Sequence, residues 1–81
     1  MKMRHEIMKY ERIRNLRIDK GLTQEALAKV LNIKQNTYSQ YEIGVLNYPL
    51  EVVIQLAVYY HTSVDYLVGL TDNPVPYERN K

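Results

Sequence analysis

The stretch Leu22-Thr23-Gln24-Glu25-Ala26-Leu27-Ala28, continued by Asn32-Ile33-Lys34-Gln35-Asn36-Thr37-Tyr38-Ser39-Gln40-Tyr41-Glu42, has the layout of two short helices joined by a tight turn. Thr23 is an N-cap residue whose hydroxyl accepts from the first free amides of the helix it precedes, and Glu25 suits the positive end of that helix's dipole. Leu27, Ala28 and Leu31 fall at the spacing of a buried helical stripe. Asn32 is one of the few non-glycine residues that tolerates the left-handed backbone such a turn needs, and Ile33 plugs the turn from inside. At about 100° per residue, Tyr38 and Tyr41 fall on one side of the second helix, while Gln35, Asn36, Ser39, Gln40 and Ile43 fall on the other. Gly44 closes that helix; its start is weakly signalled, because Lys34 is a poor N-cap.

Outward from this unit, the periodicity stays helical between three glycines and three prolines, so the fold class is all-α with five helices. The first helix runs from Met8 or Lys9 to Lys20, with Ile13 and Leu16 inward, Arg12, Arg14 and Lys20 outward, and Gly21 at its C-terminal cap. Pro49 sits in the first turn of the fourth, whose apolar face is Leu50, Val53, Ile54, Leu56, Ala57 and Tyr60. Ser63 caps a short fifth helix, Val64, Tyr66, Leu67 and Val68 close the core, and Gly69 stops it. The organisation is therefore a basic arm over residues 1–8, one domain over 9–70 and a tail over 71–81, extended or disordered, with two of the three prolines.

The 81 residues, 46% of them hydrophobic, suit one small domain that must economise on core. The absence of cysteine excludes a disulfide framework or a thiolate metal site and fits a reducing cytoplasm. No apolar run reaches the ~20 residues a bilayer needs, and the charged start is unlike a signal peptide, so no membrane partner is expected. Residues 1–20 hold seven Lys or Arg against three acidic residues, and the remainder four against six, so the net charge of +2 is concentrated at the N-terminal end. Such clustering is a nucleic-acid footprint and equally the solvated face of a helix. His5 and His61 lack partners at metal-ligand spacing, no nucleophile-base or paired-carboxylate pattern stands out, and neither a cofactor nor an enzymatic activity is expected. All eight aromatics are tyrosines, which invites a base-stacking role, but Tyr38, Tyr41, Tyr60 and Tyr66 fall at core-facing positions. Tyr10, Tyr48, Tyr59 and Tyr77 stay unassigned.

Arg17 ahead of Gly21-Leu22-Thr23-Gln24, the Leu27-Ala28 pair, Ile33, Tyr41-Glu42-Ile43-Gly44, and Leu56-Ala57 followed by Ser63-Val64-Asp65-Tyr66-Leu67 occur in one order and spacing. In these the chain resembles the XRE family, the lambda-repressor, 434-repressor and Cro type of helix-turn-helix, over about three quarters of its length. The resemblance implies a lambda-repressor-like domain in which helices two and three form the motif, helix two crossing the DNA backbone and helix three entering the major groove. Gln35, Asn36 and Gln40 become base readers, since an amide can bond N6 and N7 of adenine together, for ~1 to 3 kcal/mol of discrimination. Gln24 would bond a phosphate and brace Gln35, and Lys34, Ser39 and Asn47 would contact the backbone. Arg17 and Glu42 would form a structural ion pair. The plainer reading of the three amides is the soluble face of a surface helix.

The chain departs from the family in the loop after helix three, where Val45, Leu46, Asn47 and Tyr48 stand in place of the usual Lys or Arg. Backbone affinity must then come from the amides of helices two and three, from Asn47 and from the arm holding Lys2, Arg4 and Lys9, with a shallower salt dependence than in a basic-loop relative. Val45 and Leu46 are expected to be partly buried against helix four, with a contact patch for a second subunit as the alternative. The expected function is sequence-specific binding of double-stranded DNA by a small bacterial or phage-type transcriptional regulator, a repressor acting as a homodimer on a palindromic operator with half-sites ~34 Å apart. The alternatives are an antitoxin with a protein partner on its C-terminal tail, and a protein-interaction module of the same fold.

Overall fold

The computed structural model describes residues 10–78, which form five helices: α1 Glu11–Asp19, α2 Gln24–Leu31, α3 Gln35–Glu42, α4 Leu50–Tyr60 and α5 Val64–Leu67. The proposed arm, including Lys2, Arg4 and Lys9, and the expected start of α1 at Met8 or Lys9 lie outside the described residues.

Helix ends follow local chemistry. Gly21, at φ 72°, ends α1 in a Schellman turn, in which Leu22 N–H donates to Arg17 O and Gly21 N–H to Ile18 O. Thr23 Oγ1 accepts from Ala26 N–H at 3.0 Å, and Ser63 Oγ accepts from Tyr66 N–H at 3.0 Å. Asn32 adopts the left-handed conformation, φ 60° and ψ 45°, so that Ile33 N–H reaches back to Ala28 O. Tyr10 and His61 take the same conformation at the start of α1 and the end of α4, positions where the sequence carries no glycine or asparagine to announce it. Pro49 is the N-cap of α4, one residue ahead of its expected place.

The core is built around the fully buried Ile13, Leu27, Tyr38, Leu56 and Leu67. α2 packs on α3 and α4, α1 on α3, and α4 on α5, so the second and third helices are backed by the rest of the domain. Two expectations about α4 fail: Leu50 and Ile54 are 67% and 45% exposed, while Val52 takes a buried place. Periodicity marks an apolar stripe but not its edges, and α4 carries more apolar residues than its buried face can hold. Val64, Tyr66 and Val68 are likewise only partly buried.

Arg12 is also placed differently from its expected outward position. Its Nη1 donates to Tyr66 O at 2.9 Å and Thr71 O at 2.7 Å, Nη2 pairs with Asp72 at 3.1 Å, and the guanidinium lies 4.2 Å from the centre of the Tyr66 ring. Residues 68–78, the described part of the segment after α5, hold no regular element, yet they are fastened to the domain by Arg12, by Thr62 Oγ1 donating to Pro74 O, and by Tyr77 OH donating to Asp65. A sequence reading has no signal for this strap, because its bonds join residues up to 60 positions apart.

Candidate nucleic-acid interface

One face of α3 is welded to the domain and the other is open. Tyr38, Tyr41 and Glu42 are buried, whereas Lys34, Gln35 and Asn36 are exposed and Thr37, Ser39 and Gln40 are half-exposed. The reading residues named from the sequence therefore share one accessible polar face, beginning at the N-terminus of the helix. No side chain caps that N-terminus and its first turn holds no acidic residue, unlike α2, capped by Thr23 with Glu25 in its first turn. Uncapped amides at the positive end of a helix dipole, next to the Lys34 ammonium, favour an anion such as a phosphate.

The buried face is organised by Glu42, only 3% exposed. Its carboxylate accepts from Arg17 Nε at 2.7 Å and Nη2 at 3.1 Å, from Gln24 Nε2 at 2.9 Å and from the Tyr38 hydroxyl, while Arg17 Nη1 donates to Leu22 O at 2.8 Å. Burial alone raises the Glu42 pKa, but the hydrogen bonds from Arg17, Tyr38 and Gln24 outweigh it and hold the carboxylate below its ordinary value. The hydrogen bond to Glu42 in turn raises the pKa of Arg17. Gln24 differs from its expected role, for its Nε2 turns inward to Glu42 instead of bracing Gln35, since a buried carboxylate is a stronger acceptor than an exposed amide.

The charge picture is also altered. Of the seven basic residues in the first twenty, Arg12 and Arg17 are spent on internal bonds, and Lys2, Arg4 and Lys9 lie outside the described residues. Arg14, Lys20, Lys29 and Lys34 remain as exposed cations among the described residues 10–78. In the loop after α3, Val45 and Leu46 are 66% and 41% exposed, so Val45 is mostly open where partial burial was expected; the Leu46 backbone N–H donates to Gln40 O. Asn47 is exposed beside them.

The sequence left four tyrosines without a place. Tyr10, Tyr48, Tyr41 and Tyr38 form a chain of ring contacts with successive centroid distances of 5.9, 5.2 and 6.5 Å, which ties the start of α1 and the α3–α4 loop to the back of α3. Tyr59 packs on Tyr60, and Tyr77 belongs to the strap. Among the described residues no cluster of three metal-ligating side chains occurs and no helix is long and apolar enough to cross a membrane.

A family profile described as Helix-turn-helix matches residues 13–67, from the first core residue of α1 to the last residue of α5. The chain belongs to the XRE-type helix-turn-helix family. It is 42% identical over 66 residues to an uncharacterized HTH-type transcriptional regulator, YobD, of Bacillus subtilis, covering 82% of this chain and 59% of that protein. It is 39% identical over 58 residues to the cryptic phage CTXphi transcriptional repressor RstR of Vibrio cholerae, covering 72% and 52%. The chain thus spans a little over half the length of these relatives. No solved structure matches the chain.

Proposed function

We propose that this protein binds double-stranded DNA sequence-specifically and regulates transcription, acting as a repressor by covering a promoter as a homodimer on a palindromic operator. The reading rests above all on α3, whose exposed face is a set of amides and hydroxyls while its opposite face is locked by Tyr38, Tyr41 and Glu42. Gln35, Asn36 and Gln40 read base edges in the major groove, and Lys34, Ser39, Asn47 and the uncapped amides of α3 hold phosphates. Gln24 acts mainly through Glu42, by fixing α2 to the end of α3. The relatives named above, a regulator and a repressor, support the regulatory class.

Selection from a pool of random duplexes tests the proposal: a palindromic consensus is expected, and no enrichment at low salt refutes it. A protein-interaction module is the second reading, favoured by the exposed Val45 and Leu46 where a basic grip would stand. Absence of enrichment combined with capture of a defined partner would select it.

A further inference from the structure

The open face of α3 does not end with its amides. Ile43, the C-cap residue, keeps right-handed helical backbone at φ −87° and ψ 0°, and its N–H donates to Ser39 O at 3.1 Å, so it stays in the register of the helix. It follows Asn36 by two turns and therefore stands within about 20° of it around the helix, about 10 Å further along the axis. Gln40, one turn nearer, lies on the same side. Gly44, at φ 87°, then turns the chain out of this register, and the Leu46 N–H donates back to Gln40 O at 3.1 Å. An aliphatic side chain, 54% exposed, thus shares one strip of surface with two amide readers. The last turn of α3 holds no basic residue, so this end of the strip has no side-chain grip on phosphate.

We infer that Ile43 specifies thymine, by apolar contact with its 5-methyl group in the major groove; this deepens the DNA reading above and rests on it. The chemistry leaves one match. Base pairs present donors and acceptors to the major groove, and the one apolar group among them is the thymine methyl. A phosphate is no counterpart, because isoleucine has neither a donor nor a charge to replace the water that it would displace. Along the strip, Asn36 and Gln40 call for hydrogen-bonding base edges, whereas Ile43 calls for a methyl group. A thymine is accordingly specified beside the base that Gln40 reads.

Uracil pairs as thymine does and lacks only the methyl group, so each thymine of a duplex selected by the full chain is replaced in turn by uracil. At one position of a half-site the wild-type protein is expected to bind about fourfold more weakly, the value of one buried methyl group. Ile43→Ala should bind the thymine and uracil duplexes equally at that position. Ile43→Leu should keep the preference, and so should Val45→Ala, which lies beyond the turn at Gly44. The ratio of the two affinities is unaffected by a general loss of folded protein, and circular dichroism melts verify that the variants fold. A preference that survives in Ile43→Ala, or that disappears in Val45→Ala, overturns the assignment. So does a selected sequence without thymine. A protein that selects no duplex refutes the DNA reading itself, whereas one that selects a consensus indifferent to uracil refutes only the methyl contact.

Discussion

Among the described residues, replacing Arg17 by Ala removes two of the four hydrogen bonds that Glu42 accepts and the one cation paired with it, at a site where the Arg17 and Glu42 side chains are 12% and 2% exposed. Stripping one partner from a buried pair costs ~3 to 5 kcal/mol, and the donors left on Gln24 and Tyr38 place the expected loss near the lower end. A loss of ~3 kcal/mol lowers the melting temperature of so small a domain by roughly 12 to 24 °C, a large share of its total stability. The assay is a far-ultraviolet circular dichroism melt at pH 7, repeated on Glu42→Leu and on the Arg17→Met/Glu42→Leu pair. The double variant should recover much of the loss, because no buried charge is then left unpaired. Glu42 titrates below its ordinary value, so its stabilisation is present above the unfolded carboxylate pKa and is lost as the pH falls through the folded one. The gap between wild type and Arg17→Ala should therefore narrow in acid. An Arg17→Ala melt within about 3 °C of wild type, outside the range just derived, would falsify the account; so would a double variant as unstable as the sum of its singles.

Other perturbations separate further parts of the argument. Burial pushes the Tyr60 phenol up to about 12, so stability is held below the free phenol value near 10 and falls as the pH rises between them; its hydroxyl is buried with no hydrogen-bond partner among the described residues. Tyr60→Phe should thus melt no lower than wild type at pH 7 and lose less stability in alkali; a drop of more than about 1 kcal/mol at pH 7 would reveal a partner for the hydroxyl. Arg12→Ala should cost ~1 to 3 kcal/mol and speed proteolysis after α5, because it frees two backbone carbonyls, whereas Asp72→Asn should change stability by less than about 0.5 kcal/mol, as Asp72 is 98% exposed. Equal effects would refute that division. Lys34→Ala should weaken binding evenly across duplexes and reduce the salt slope by about one, while Asn36→Ala or Gln40→Ala should change the preferred base; identical behaviour of all three would remove the distinction between holding and reading.

Most of what surrounds α3 was legible because it is local. Thr23, Asn32, Gly44 and Ser63 each mark a helix end through rules that involve only a few neighbouring residues, and the two sides of α3 follow from counting turns. What was hidden depends on residues brought from afar or on a choice between partners. Arg12 has a charge that solvent would accept equally well, and only the folded chain shows two carbonyls waiting for it. Gln24 has several possible acceptors, and Glu42 wins because it is charged and buried. Leu50 and Ile54 fit the apolar pattern of α4 yet remain outside, since the pattern records hydrophobicity and not the presence of something to cover it. Tyr48 acquires its place between the rings of Tyr41 and Tyr10, which the chain brings together from three separate segments.

The single carboxylate of Glu42 joins three helices, taking donors from Arg17 on α1, Gln24 on α2 and Tyr38 within α3 itself. A reading helix fixed by such a joint has little freedom to tilt or slide toward an imperfect groove. On the proposed function, adjustment at the interface then falls to the duplex, so bases between the half-sites that no side chain touches would still influence affinity through the ease with which they bend.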